Sequence, residues 1–200
     1  MKHFICLLIL SSLFICPACA GGQDLSRFDI STDEGVTAAR EAASGKKLDD
    51  YSKGCIRRSP QLPKAVVVGS FAHDRGCDFQ GVFLGSRYYE DRDAGLSRSA
   101  LNFLGWQKAG RQEREKLALT WVKDGLLAFL TVLTERDEDF KGREFQPPLS
   151  ASDESGAVTV ALWVRQPPGM TRDRVFERLE YRFSKDGDAT SRNVLETFVR

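Results

Sequence analysis

Residues 64–89 read KAVVVGSFAHDRGCDFQGVFLGSRYY, and this stretch decides the fold class. Its first part, residues 64–72, is apolar on both faces, as a strand inside a sheet requires. His73, Asp74, Arg75 and Gly76 make a turn. From Cys77 onward the pattern alternates, with Cys77, Phe79, Gly81 and Phe83 on one face and Asp78, Gln80 and Ser86 on the other. Val82 and Leu84 interrupt the polar side. Two such runs around a short turn predict an antiparallel β-hairpin.

Working outward, Ser31 followed by Glu34 has the spacing of a capping box and predicts a helix over residues 32–44, stopped by Gly45. Residues 46–64 read as irregular, because Pro60 and Pro63 interrupt regular structure. C-terminal to the hairpin, residues 97–106 and 111–133 form a helical block. In the longer run Leu117, Ala118, Trp121, Val122, Gly125, Ala128, Phe129 and Val132 recur at intervals of three and four, the period of a core-facing helix. Residues 135–142 read as a charged loop, and residues 147–156 as a second irregular stretch. Three further strands follow at 157–166, 174–185 and 194–199, with Asp186-Gly187 as a hairpin turn. Hairpin-joined strands with helices gathered between them predict an α+β fold: an antiparallel sheet of about five strands with helices packed on one face. The expected core is Val67, Phe71, Phe79, Phe83, Leu117, Trp121, Phe129, Val160, Leu162, Leu179, Tyr181 and Phe183.

The first twenty residues are of another kind. A basic start (Lys2, His3) precedes an apolar run over residues 4–16, too short for a spanning helix of about 20 residues. Pro17 and Ala18-Cys19-Ala20 complete the pattern of a signal peptide cut after Ala20. The competing reading is a lipobox, with lipid carried on Cys19; Cys16, where that box prefers an aliphatic residue, counts against it. Cys16-Pro17-Ala18-Cys19 also spells a redox motif, but no strand precedes it and no helix follows to lower a thiol pKa. The expected organisation is a signal peptide over 1–20, a tether over 21–30 and one α+β domain over 31–200.

Composition limits the function. The 200 residues carry 29 basic and 28 acidic side chains; losing Lys2 with the leader balances them. A neutral chain lacks the basic excess that obligate binding to nucleic acid or to an anionic membrane surface calls for, so membrane attachment is expected only through a lipidated Cys19. The mature chain keeps two cysteines, Cys55 and Cys77, and an even count in an exported protein reads as one disulfide.

Chemistry is sparse. His73 is the only histidine left after the leader, standing four residues before Cys77, and the expected disulfide takes that thiol. No sequence carries the spacing of a nucleophilic serine, a zinc site or a phosphate loop. The acidic clusters Glu90-Asp91-Asp93, Asp137-Glu138-Asp139 and Asp186-Asp188 lack the spacing of a calcium loop and stand among Arg and Lys. The expectation is an exported, periplasmic or secreted protein without cofactor or metal that binds another envelope or periplasmic protein. An immunity-type or envelope-assembly factor is the concrete form. The row Arg178, Glu180 and Arg182, on the wet face of its strand, is the expected binding surface. The alternative is a carboxylate-dependent envelope hydrolase, which needs two acids in one cleft with one pKa raised.

Overall fold

The structure, a computed structural model, describes residues 22–73, 76–133, 145–167 and 173–200. The leader (1–20), Cys19, the charged loop at 135–142 and the Asp137-Glu138-Asp139 cluster lie outside these residues. The described chain is α+β, as expected, but its ten strands form two antiparallel sheets of five rather than one.

The first sheet contains β1 (Gln23–Asp24), β2 (Ile56–Arg58), β3 (Ala65–Ala72), β4 (Gly76–Leu84) and β5 (Arg87–Glu90) in the order β1-β5-β4-β3-β2. The 64–89 stretch is its centre, but it makes three strands rather than the expected two, because the chain turns at Gly85-Ser86 and Arg87–Glu90 returns along β4. The second sheet contains β6 (Thr131–Leu133), β7 (Leu149–Ser152), β8 (Val158–Arg165), β9 (Val175–Phe183) and β10 (Ala189–Val199). Its order is β10-β9-β8, with β6 and β7 both pairing β8. Between the sheets in sequence come α3 (Leu96–Phe103), a 3₁₀ turn at Trp106–Lys108, α4 (Arg111–Thr120) and a π-helical turn at Trp121–Leu126.

Both faces of the first sheet are buried. On one, α1 (Asp33–Ser44) sets Val36 and Ala39 over Ile56, Val66, Val68, Phe83 and Tyr88. The other face gives Val67, Val82 and Leu84 to the main core, which it shares with Trp106, Trp121 and Leu101 and with the inner residues of β8 and β9. The expected grouping of Phe79 with Phe83 fails here. Val68 lies opposite Gly81 and Gly69 opposite Phe79, so Gln80 is an extra residue in the ladder. Such a bulge shifts the alternation by one: Phe83 turns to α1 and Phe79 to the main core.

Arg40 holds that bulge. Its side chain, 2% exposed, donates to the Gly69 carbonyl, to Gln80 Oε1 (2.8 Å) and to the Ser52 carbonyl (3.0 Å) of α2 (Asp50–Lys53). One buried cation thus joins α1, α2, β3 and β4, and burial pulls its pKa below the usual arginine value.

Several local expectations change for physical reasons. The helix cap is Thr32, whose Oγ1 accepts from the Gly35 amide (3.0 Å), because Asp29 already engages Ser31. The expected tether is docked: Gln23 and Asp24 pair with Tyr88 and Arg87, and Leu25 is buried beneath α1. The long helix expected to Leu133 ends in the π turn, and Thr131–Leu133 becomes an edge strand on β8. The last strand begins at Ala189 rather than 194. Phe71, Phe79, Leu117 and Phe129 are only half-buried; the other eight expected core residues are buried.

Candidate functional site

An opening lies where the two sheets part. A groove of about 900 Å³ runs between the start of β4 and the inner side of β9 and β10. Cys77, Asp78 and Phe79 form one side; Val175, Glu177 and Tyr181 of β9, with Arg192 and Val194 of β10, form the other. Leu126, Leu127, Phe129 and Leu130, the chain leaving the π turn, make an apolar wall. A second hollow of about 410 Å³ shares Asp91, Leu126, Tyr181 and Arg192 with the first and extends to Asp188. Apolar walls with a few polar groups are the usual make-up of a ligand site.

The bulge and the π turn build this groove. The extra residue at Gln80 turns Phe79 toward it. The π turn carries Gly125 directly under the Trp121 ring, and it delivers the apolar residues that follow to the groove wall. Trp121 itself is buried, and its indole N–H finds no acceptor among the described residues.

The polar groups meet at the point common to both hollows. Arg192 Nε donates to the Tyr181 hydroxyl at 3.1 Å, and the guanidinium lies 6.0 Å from the ring centre. Burial raises the Tyr181 pKa, with Arg192 acting against it. Asp91 is solvent-exposed as a residue, yet the protein around its carboxyl raises its pKa, again opposed by Arg192. Glu177 accepts from the Gln166 amide. The described residues lining the larger hollow include the acids Asp78, Asp91, Asp173 and Glu177 and one cation, Arg192, and Asp78 is engaged elsewhere.

Cys55 and Cys77 are bonded, with Cα atoms 5.7 Å apart. The bond fixes the groove's β4 side to the turn after α2, and it belongs to an oxidising compartment. His73 is exposed, packing edge-on against Phe71 at 5.4 Å, and its neighbour Cys77 has no thiol to activate.

The expected binding row is ordered but engaged. Arg178, Glu180 and Arg182 share the face of β9 opposite Leu179, Tyr181 and Phe183. Arg178 donates to Gln146, Glu180 accepts from Asn193 at 3.4 Å, and Arg182 pairs with Asp153. On the same side of the second sheet, Phe145, Trp163, Phe176 and Phe198 cluster with Leu133. In the acidic clusters, Asp93 accepts from the Glu90 amide (2.7 Å), Glu90 pairs with Arg92, and Asp188 pairs with Arg98. Among the described residues no three His, Cys, Asp or Glu side chains gather as metal ligands would.

Sequence reasoning missed the groove. Arg192 lies in a stretch read as turn, and Tyr181 was expected only as core. The parity of β4, hidden by the bulge, concealed which residues face the opening.

No family model, curated protein or solved structure matches this chain.

Proposed function

We propose that this is an exported, periplasmic protein that binds another envelope protein, as an immunity-type or assembly factor, and performs no catalysis. The observation that carries the reading is the edge of the second sheet. Among the described residues β10 has β9 on one side and no strand on the other, and its Val194 and Leu195 are 47% and 50% exposed. Natural sheets seldom leave apolar residues on an open edge unless something covers them. That edge forms one lip of the groove. The disulfide supports a compartment outside the reducing cytoplasm.

A second reading has its own support. Asp91 and Glu177 line the same groove and Asp91 has a raised pKa, the arrangement a carboxylate-dependent envelope hydrolase requires. One experiment separates the two. The purified protein is expected to form a one-to-one complex with a single envelope protein and to leave peptidoglycan, phospholipid and ester substrates intact. Turnover of any of these, abolished by Asp91→Asn or Glu177→Gln, would establish the hydrolase instead. Replacing Arg178, Glu180 and Arg182 together by alanine tests the outer row, where a weakened complex with the fold intact would place the partner on that face.

A further inference from the structure

We infer that the groove receives an extended segment of the partner, added as a strand along β10, whose groove-facing side chains are apolar residues flanking a basic one. This rests on the protein-binding reading above and names the chemistry of what is bound.

The first ground is the edge itself. From Ser191 to Val194 the strand pairs with β9 and no described strand pairs with its other edge, while just before this stretch the Ala189 amide donates to Ser97 Oγ of α3 (2.6 Å). Its backbone N–H and C=O groups there can take an added strand, as sheet-edge recognition does. Thr190 and Leu195, skipped in the β9 register, mark two irregularities that bend this edge and keep it from being flat. A bent edge resists indiscriminate pairing and favours a ligand that also fits a neighbouring pocket.

The second ground is extent. The two hollows share Arg192 and Tyr181 and together follow β10 from Val194 to Asp188. At about 3.3 Å per residue that is roughly 20 Å of extended chain. An added strand would place every second side chain toward the groove.

Charge and polarity supply the third. Leu126, Phe129 and Val194 offer apolar contact along the groove. Setting aside Asp78, which has a partner of its own, the described lining holds three acids, Asp91, Asp173 and Glu177, against one base, and Asp91 belongs to both hollows. Arg192, which keeps its full charge while donating to the neutral Tyr181 hydroxyl, balances one of these acids. The field therefore draws a cation to the middle of the groove and repels an anion.

The test uses three labelled peptides with the purified full chain. The first, acetyl-Thr-Val-Thr-Lys-Thr-Val-Thr-amide, presents Val, Lys and Val on one face. The second replaces Lys by Glu. The third is the Lys peptide with every backbone amide N-methylated, which blocks strand pairing along either edge. Fluorescence polarisation is expected to show saturable binding of the first, and binding weaker by about tenfold or more for the other two. Asp91→Asn with Glu177→Gln is expected to weaken the Lys peptide by a similar factor, with its fold checked by circular dichroism. Equal binding of the Glu peptide removes the charge argument. Equal binding of the N-methylated peptide removes the added strand, and no binding of the Lys peptide at about 1 mM removes the groove altogether. Should a captured envelope partner bind the double variant with unchanged Kd, the groove assignment falls while the protein-binding reading stands.

Discussion

Asp153 shows how much one side chain organises when its neighbours all donate to it. Its carboxylate accepts from the Ser155 hydroxyl (2.6 Å), the Ser155 amide (2.9 Å) and the Ala157 amide (3.2 Å), and it pairs with Arg182 on β9. These bonds, the Ser155 hydroxyl first, hold its pKa down at about 2 against an ordinary 3.8. A lowered pKa means that the folded state favours the charged form, so the stabilisation is present above pH 4 and is lost as pH falls through about 2. Asp153→Asn should therefore melt below the native protein at pH 7, and the gap should close between about pH 4 and pH 2. A gap that stays constant over that window would show that the carboxylate charge contributes nothing. Gly125 makes the opposite point about propensity. In an ordinary helix Ala is favoured over Gly by about 1 kcal/mol. Here a Cβ at 125 would stand 2.0 Å from the buried Trp121 ring. Gly125→Ala should accordingly lower the melting temperature and shift the tryptophan emission, whereas a raised melting temperature would mean the ring moves aside at little cost.

At the scale of elements, what the sequence revealed depended on whether each residue's partner lay nearby in the chain. The hairpin of β3 and β4 was legible because an apolar run, a turn and an alternating run follow one another. So were α1, with its Gly45 stop at φ 67°, and the β9–β10 turn at Asp186-Gly187. Short strands were not legible. β2 and β7 have three and four residues and lie in stretches that read as irregular. β6 was concealed by the apolar spacing that marks a helix, since Val132 satisfies both the helical period and a place beside Val164. The bulge at Gln80 carries no local signal, because what fixes it is Arg40, forty positions away in the chain. The groove follows the same rule. Its disulfide was legible from a cysteine count, but its opening is set by the bulge, the π turn and the bend of β10, each of which departs from regular periodicity.

For the molecule as a whole, the Cys55–Cys77 bond ties the two properties that concern function, where the chain folds and how the groove is held. It joins the turn after α2 to the first residues of β4 across 22 positions. Closing a loop of that size removes unfolded-chain entropy equivalent to roughly 3 kcal/mol, a large share of the usual 5–15 kcal/mol of domain stability. For a chain of this length about 1 kcal/mol moves the melting temperature by 2–4 °C, so Cys55→Ser should lower it by roughly 6–12 °C. Reductant should bring the native protein to the same value and leave the variant where it is. The effect should also reach the groove. Cys77 lies on its β4 side, while Tyr181 and Arg192 are held by the second sheet independently of the bond. Native-state hydrogen exchange should then quicken in β4 before it quickens in β9 when the bond is opened. Equal acceleration in both sheets would show that the two unfold as one unit and that the bond contributes to global stability alone. Acceleration confined to β4 would mark the disulfide as the brace of the groove's β4 side, and would tie ligand capture to an oxidising compartment through the fold itself.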